Sequence, residues 1–263
     1  MRSMSLLGMT GGIIGTIASL IAIYYMLVYL SVSEAATNLF VSYILQLTFI
    51  YLALTAPTWS LFYYYAAMAY SCDVFMVNYY FSVAEPVWST FRIVSVVAGV
   101  FLFLHVFLVG FGFYDIYKIT NRASGIVTFI MSFICSAIIL ILLILAGFLP
   151  VELVPYFFTF PIRIIGPNDV AVFFAFVSLF VFLIVSGATG IAVRSDATPT
   201  SPSLTLAAGI ISIIAGVLLI LIIGLLLMFV ASILWIIVFY KTSQEYVAPQ
   251  PTIPPSVPPS VPP

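Results

Sequence analysis

Charged side chains are almost missing from this sequence: Asp, Glu, Lys and Arg together make up 6% of its 263 residues. A soluble globular domain carries roughly 25%, because its surface has to be solvated. The shortage excludes a water-facing globule and makes lipid the main solvent of the chain. Seven basic and eight acidic residues leave a formal net charge of −1. No basic run exists, so no nucleic-acid partner is expected. No polybasic stretch flanks an apolar run, which argues against strong capture of anionic lipid.

Catalytic groups are equally scarce. The single histidine, His105, excludes bis-histidine haem within the chain. Neither a His-Glu-x-x-His helix nor a cysteine-histidine cluster with zinc spacing occurs. Cys72 and Cys135 both lie in apolar stretches, read as buried thiols, and do not make a disulfide framework. Lys118 and Lys241 stand at span ends, so no lysine is placed for a retinal Schiff base. Tyr114-Asp115 matches half of an intramembrane aspartyl protease pair, but no Gly-x-Gly-Asp follows it. With no Gly-x-Ser-x-Gly elbow and no phosphate-cradling loop either, we expect no enzyme and no cofactor.

Apolar residues, by contrast, make up 64% of the chain. A bilayer crossing takes ~20 of them in a row. The first run, 6–32, follows Arg2 and exceeds the ~7–15 residues of a signal core, so it reads as an uncleaved span. The second tract is too long for one crossing. Pro57 divides it into spans 39–55 and 60–83, because proline removes a donor and disfavours helix at the residue before it. Trp59, Tyr63, Tyr64 and Tyr65 mark one end of the later span, and Tyr79, Tyr80 and Trp88 the other, as interfacial aromatics do. Further spans are read at 92–114, 125–149, 170–193 and 206–240. The links are Ser33–Asn38, Ala84-Glu85-Pro86, Asp115–Ser124, Val151–Asp169 and Arg194–Thr205. The last run, at about 35 residues and ~52 Å, exceeds the ~30 Å hydrocarbon and must tilt or protrude.

The expected architecture is therefore all-α: a polytopic helical bundle of seven spans over residues 1–240. Six is the alternative, if 60–83 lies in the interface. Seven spans put the two termini on opposite sides. Basic residues divide almost evenly between the two sides, and Arg2 before the first span with Glu34 after it favours an inside N-terminus. A proline-rich tail at 241–263 ends in three copies of a four-residue unit, such as Ser256-Val257-Pro258-Pro259. Such a tail cannot bury a core. It reads as disordered, extended polyproline II, serving as a stiff spacer or as a docking peptide for an aromatic groove.

Two intramembrane polar candidates stand out. Asp73 falls near the middle of the third span, where a charge has to be neutralised, paired or wetted. A hairpin about Glu85 would set it level with Ala98, beside Ser95 and Gly99, with His105 ~10 Å further along. His105 reads as a hydrogen-bonded core residue or a proton relay. Small residues recur at four-residue spacing: Gly8 and Gly12, with Gly11, Gly15 and Ser19, on the first span, and Ala208, Ser212 and Gly216 on the last. Such stripes let helices approach closely in lipid, either inside one bundle or between copies and partner subunits.

The junction Gly112-Phe113-Tyr114-Asp115-Ile116-Tyr117 through Ser124-Gly125, together with the repeated Ser-Val-Pro-Pro, resembles archaeal multi-span membrane proteins of unknown function with proline-rich C-termini. The resemblance implies no particular activity. The expected role is that of a multi-pass protein of the cell membrane. It would act as a non-catalytic subunit or scaffold through helix contacts, as a homo-oligomer or with a membrane partner subunit. A small permease or proton-coupled carrier is the alternative.

Overall fold

A computed structural model describes residues 2–149, 167–219 and 221–247, and every regular element among them is helical. Most of the expected loop 151–169, and the tail from 248 onward, lie outside the described residues. Five stretches are long and apolar enough to cross a membrane: Leu6–Val32, Trp59–Thr120, Ala123–Phe148, Asn168–Ala197 and Ile223–Glu245. Val41–Leu54 and Pro202–Val217 are apolar but shorter.

The helices are α1 (Arg2–Leu54), α2 (Trp59–Tyr79), α3 (Glu85–Thr120), α4 (Ala123–Phe148), α5 (Pro167–Ala197), α6 (Pro202–Val217) and α7 (Ile222–Val247). Four of these boundaries correct the sequence reading. The link expected at Ser33–Asn38 is helical, so α1 runs unbroken for 53 residues. Glu34, Ala35 and Ala36 sustain a helix there, and neither glycine nor proline interrupts it.

The turn expected at Ala84-Glu85-Pro86 is also absent. A single π turn, Tyr80–Ala84, joins α2 to α3, with the Glu85 N–H bonded to the Tyr80 carbonyl. Pro86 explains it: a proline has no N–H for the carbonyl four residues back, and a π turn is a common way for a helix to absorb that defect. At the other end α3 passes through Asp115, expected in a link, and stops at Asn121, whose φ of 52° gives a left-handed C-cap.

The run 206–240 is not one span but a hairpin of α6 and α7. Among the described residues of its turn, the Leu218 N–H bonds to the Ile214 carbonyl at 3.0 Å and the Gly224 N–H to the Leu221 carbonyl at 2.9 Å. Gly224 makes the turn possible, because a Cβ there would collide with the backbone of Leu218. The turn expected at Pro57 is present: Leu54 ends α1, and Thr58 caps α2 by accepting from the Leu61 N–H at 3.4 Å.

The first half of α1 with α3, α4, α5, α6 and α7 forms a ring in which each helix packs antiparallel on the next and α7 returns to α1. Six antiparallel helices bring the start of α1 and the end of α7 to the same end of the ring, where Gly8 meets Phe239. The opposite-sided termini of the seven-span reading are not what these residues form. Gly8 also lies against Gly112, and Gly187 against Gly209, so backbones approach closely where side chains are small. Ile13, Ile17, Ile134, Ile141, Phe173 and Ile210 point outward. A ring apolar on both its inner and outer faces is what lipid requires.

Outside the ring, the second half of α1 and all of α2 form an antiparallel hairpin tied at its base by Asn38 Nδ2 donating to Tyr79 Oη at 3.0 Å. Its inner seam buries Ser42, Ala53 and Ala69. Leu54, Trp59, Tyr63, Tyr70, Phe75 and Phe81 are exposed.

Candidate functional site

The ring centre is filled rather than open. Phe113 stacks edge-on against Trp235 at 4.7 Å and Phe239 at 5.8 Å, while Phe182 meets His105 at 6.2 Å. His105 projects from α3 into this core and is 4% exposed. Its Nδ1 lies 2.9 Å from the Gly11 carbonyl of α1. A carbonyl only accepts, so Nδ1 carries the proton and Nε2 is left as an acceptor. Gly15 permits this contact, since any Cβ there would strike the imidazole. A void of about 10 Å³ lies beside His105, Ser212, Ser232 and Trp235. That is room for about one water.

The surrounding polar groups are engaged. Trp235 Nε1–H donates to Ser212 Oγ at 3.0 Å, and Ser212 and Ser232 bond to the Ala208 and Met228 carbonyls. Further toward the end that holds the termini, Thr128 and Thr189 bridge α4 and α5 at 2.7 Å. Arg122 pairs with Asp196 at 3.0 Å, and Lys241 donates to Ser201 at 2.6 Å. At the opposite end Tyr29 donates to Asp169 at 2.5 Å. Among the described residues no three His, Cys, Asp or Glu side chains gather as metal ligands would.

The structure separates the two sequence candidates. The helix is continuous from α2 into α3, so Asp73 and His105 stand ~48 Å apart along it. Asp73 sits on the exposed face of the hairpin, not beside Ser95 and Gly99. Of the stripes, Gly12 faces Ser232 and Ile236 of α7, Gly15 faces His105, and Gly216 packs on Leu183 and Ile184 of α5. Ala208 and Ser212 are buried at the centre. These residues therefore pack within the ring. Sequence reasoning set Asp115 at the start of a link, whereas it is buried within the last two turns of α3. The left-handed propensity of Asn121, six residues on, was the signal that the helix runs past it.

No family model, curated protein or solved structure matches this chain.

Proposed function

We propose that this protein is a multi-pass protein of the cell membrane that works through contacts rather than chemistry, with the α1–α2 hairpin as its contacting element. One observation carries the reading: the ring uses its small-residue stripes on itself, while the hairpin presents apolar side chains around most of its girth. The filled centre gives a solute no route in this conformation, and its one-water void holds a single titratable side chain, His105. Asp73 is the polar handle on the hairpin. An acid on an apolar helix face gains by meeting a basic or hydroxyl-bearing side chain of another membrane helix. A second copy offers hydroxyls such as Tyr70 and Ser71 in its own hairpin but no lysine or arginine, so the stronger, charged pairing needs a different partner subunit.

The test is purification from native membranes in mild detergent, with a photocrosslinker at Val74. A partner that crosslinks to the wild type and is lost from Asp73→Asn, with the ring still folded, supports the reading. Solute flux by the wild type in proteoliposomes that falls on His105→Ala would overturn it in favour of a carrier.

A further inference from the structure

We propose that residues 39–83 form a second membrane-embedded body, folded back beside the ring in the same bilayer, so that the chain makes eight crossings. It shares with the contact reading the exposed apolar surface of the hairpin, and adds to it the length of the arms, the placement of the aromatics and the polar band at the base.

The hairpin exposes apolar side chains around most of its girth, interrupted by Thr48, Ser71 and Asp73. A helix pair in water turns a polar face outward, and a pair clamped by a protein partner shows an apolar stripe. Here Val41, Ile44, Leu45, Leu47 and Ile50 are exposed around α1, and Val74, Phe75 and Val77 around α2. Hydrocarbon is the solvent that covers every face at once. The dimensions agree. The arms 39–54 and 59–79 rise ~24 Å and ~32 Å, against ~30 Å of hydrocarbon. Aromatics with a polar tip stand at both ends, Tyr51, Trp59 and Tyr63 at the turn, Tyr79 and Tyr80 at the base. That spacing matches the two interfaces of one bilayer.

Between hairpin and ring lies a polar band: Ser31, Glu34 and Asn38 on α1, Asn78, Ser82 and Glu85 on the facing helix. It spans ~12 Å along α1. Two stacked bilayers would need two head-group layers of ~5–7 Å each with no water between them. Reversal of the hairpin about the band needs only two helix breaks. Pro86 with its π turn marks one of the two sites, and the polar stretch that begins at Ser31 marks the other. Just beneath the band, an opening of about 350 Å³ between Leu27 and Ser31 of α1 and Val87 and Thr90 of α3 leaves the ring's flank open on that side.

Single cysteines placed in the full chain, with Cys72→Ser and Cys135→Ala, decide the matter in sealed vesicles whose sidedness is set by an N-terminal tag. The probe is a membrane-impermeant maleimide. Thr58→Cys is expected to label from the face that carries the termini, and Glu85→Cys from the opposite face. Leu47→Cys and Val74→Cys are expected to react at least tenfold more slowly from either side. Labelling of Thr58→Cys from the Glu85 face overturns the proposal and leaves the hairpin in water, against a partner, or in an apposed membrane. Rapid labelling of Val74→Cys also overturns it. Ser60→Cys reports the same position should Thr58→Cys fail to fold.

Discussion

The ring and the hairpin are built from nearly the same apolar alphabet, yet one has a packed interior and the other is almost all surface. Glycine separates them. Between Gly15 and Gly99 the chain contains none, and that interval holds the whole hairpin. In the ring, glycines at Gly8, Gly12, Gly187 and Gly209 bring backbones together, so dispersion contacts can hold helices that gain nothing from leaving water. The hairpin has alanines at its seam and aromatics elsewhere; eight of the sixteen tyrosines fall within 39–83. Bulky side chains keep two helices from closing tightly and leave most of each side chain facing out. The lesson is that in lipid an apolar sequence does not by itself make a core; small residues at the right spacing do.

The comparison breaks most visibly if ring glycines can be filled. Gly15→Leu would drive a side chain into His105, and Gly224→Leu would press on the backbone of the α6–α7 turn. Each is expected to cost more than ~3 kcal/mol, since neither site has a flexible neighbour to yield. The readout is loss of the monodisperse species in size-exclusion chromatography in mild detergent. Normal folding of Gly15→Leu would show that ring closure does not depend on this contact. His105→Ala comes next. It removes the bond to Gly11 and enlarges the existing void, for roughly 2 kcal/mol, measured as a lower melting temperature. Thr128→Val keeps the shape but loses the bridge to Thr189. About 1 kcal/mol is expected, in the range of interhelical hydrogen bonds in membranes.

Legibility followed the strength of local signals. Composition and the long apolar runs gave a helical chain with stretches apolar enough to cross a membrane, because scarce charge and runs of ~20 apolar residues leave little else. The turn at Pro57 was readable because proline and the capping Thr58 act on neighbouring residues. The π turn was not: Pro86 looks like a turn in isolation, and only the packing of Ala84 and Trp88, both buried, holds the helix together through it. The break in 206–240 carried no proline or charge. It depends on Gly224 admitting a reversed backbone, which is a steric fact about two segments rather than a property of one. Asp73 was correctly marked as exceptional but misplaced, because its depth was reckoned from a turn at Glu85 that does not form.

The smallest effect is expected where the sequence looks most like a core. Leu47 and Val74 are as apolar as any ring residue, but they are 42% and 40% exposed. The double change Leu47→Ala with Val74→Ala is expected to leave the melting temperature in detergent unchanged, within ~0.5 kcal/mol, as for other surface sites. The hairpin's affinity for hydrocarbon is a separate quantity. Its seventeen Leu, Ile, Val and Phe side chains favour insertion by ~0.3–0.6 kcal/mol each, roughly 5–10 kcal/mol together. Asp73 opposes this by ~2.5–3.5 kcal/mol. The margin is narrow enough that Asp73→Leu should deepen protection of a cysteine at position 74 from impermeant maleimide, with no change in ring stability. If instead the double alanine variant melts several degrees lower, the hairpin contributes to the fold as a core does, and the division drawn here between a packed ring and an open hairpin fails.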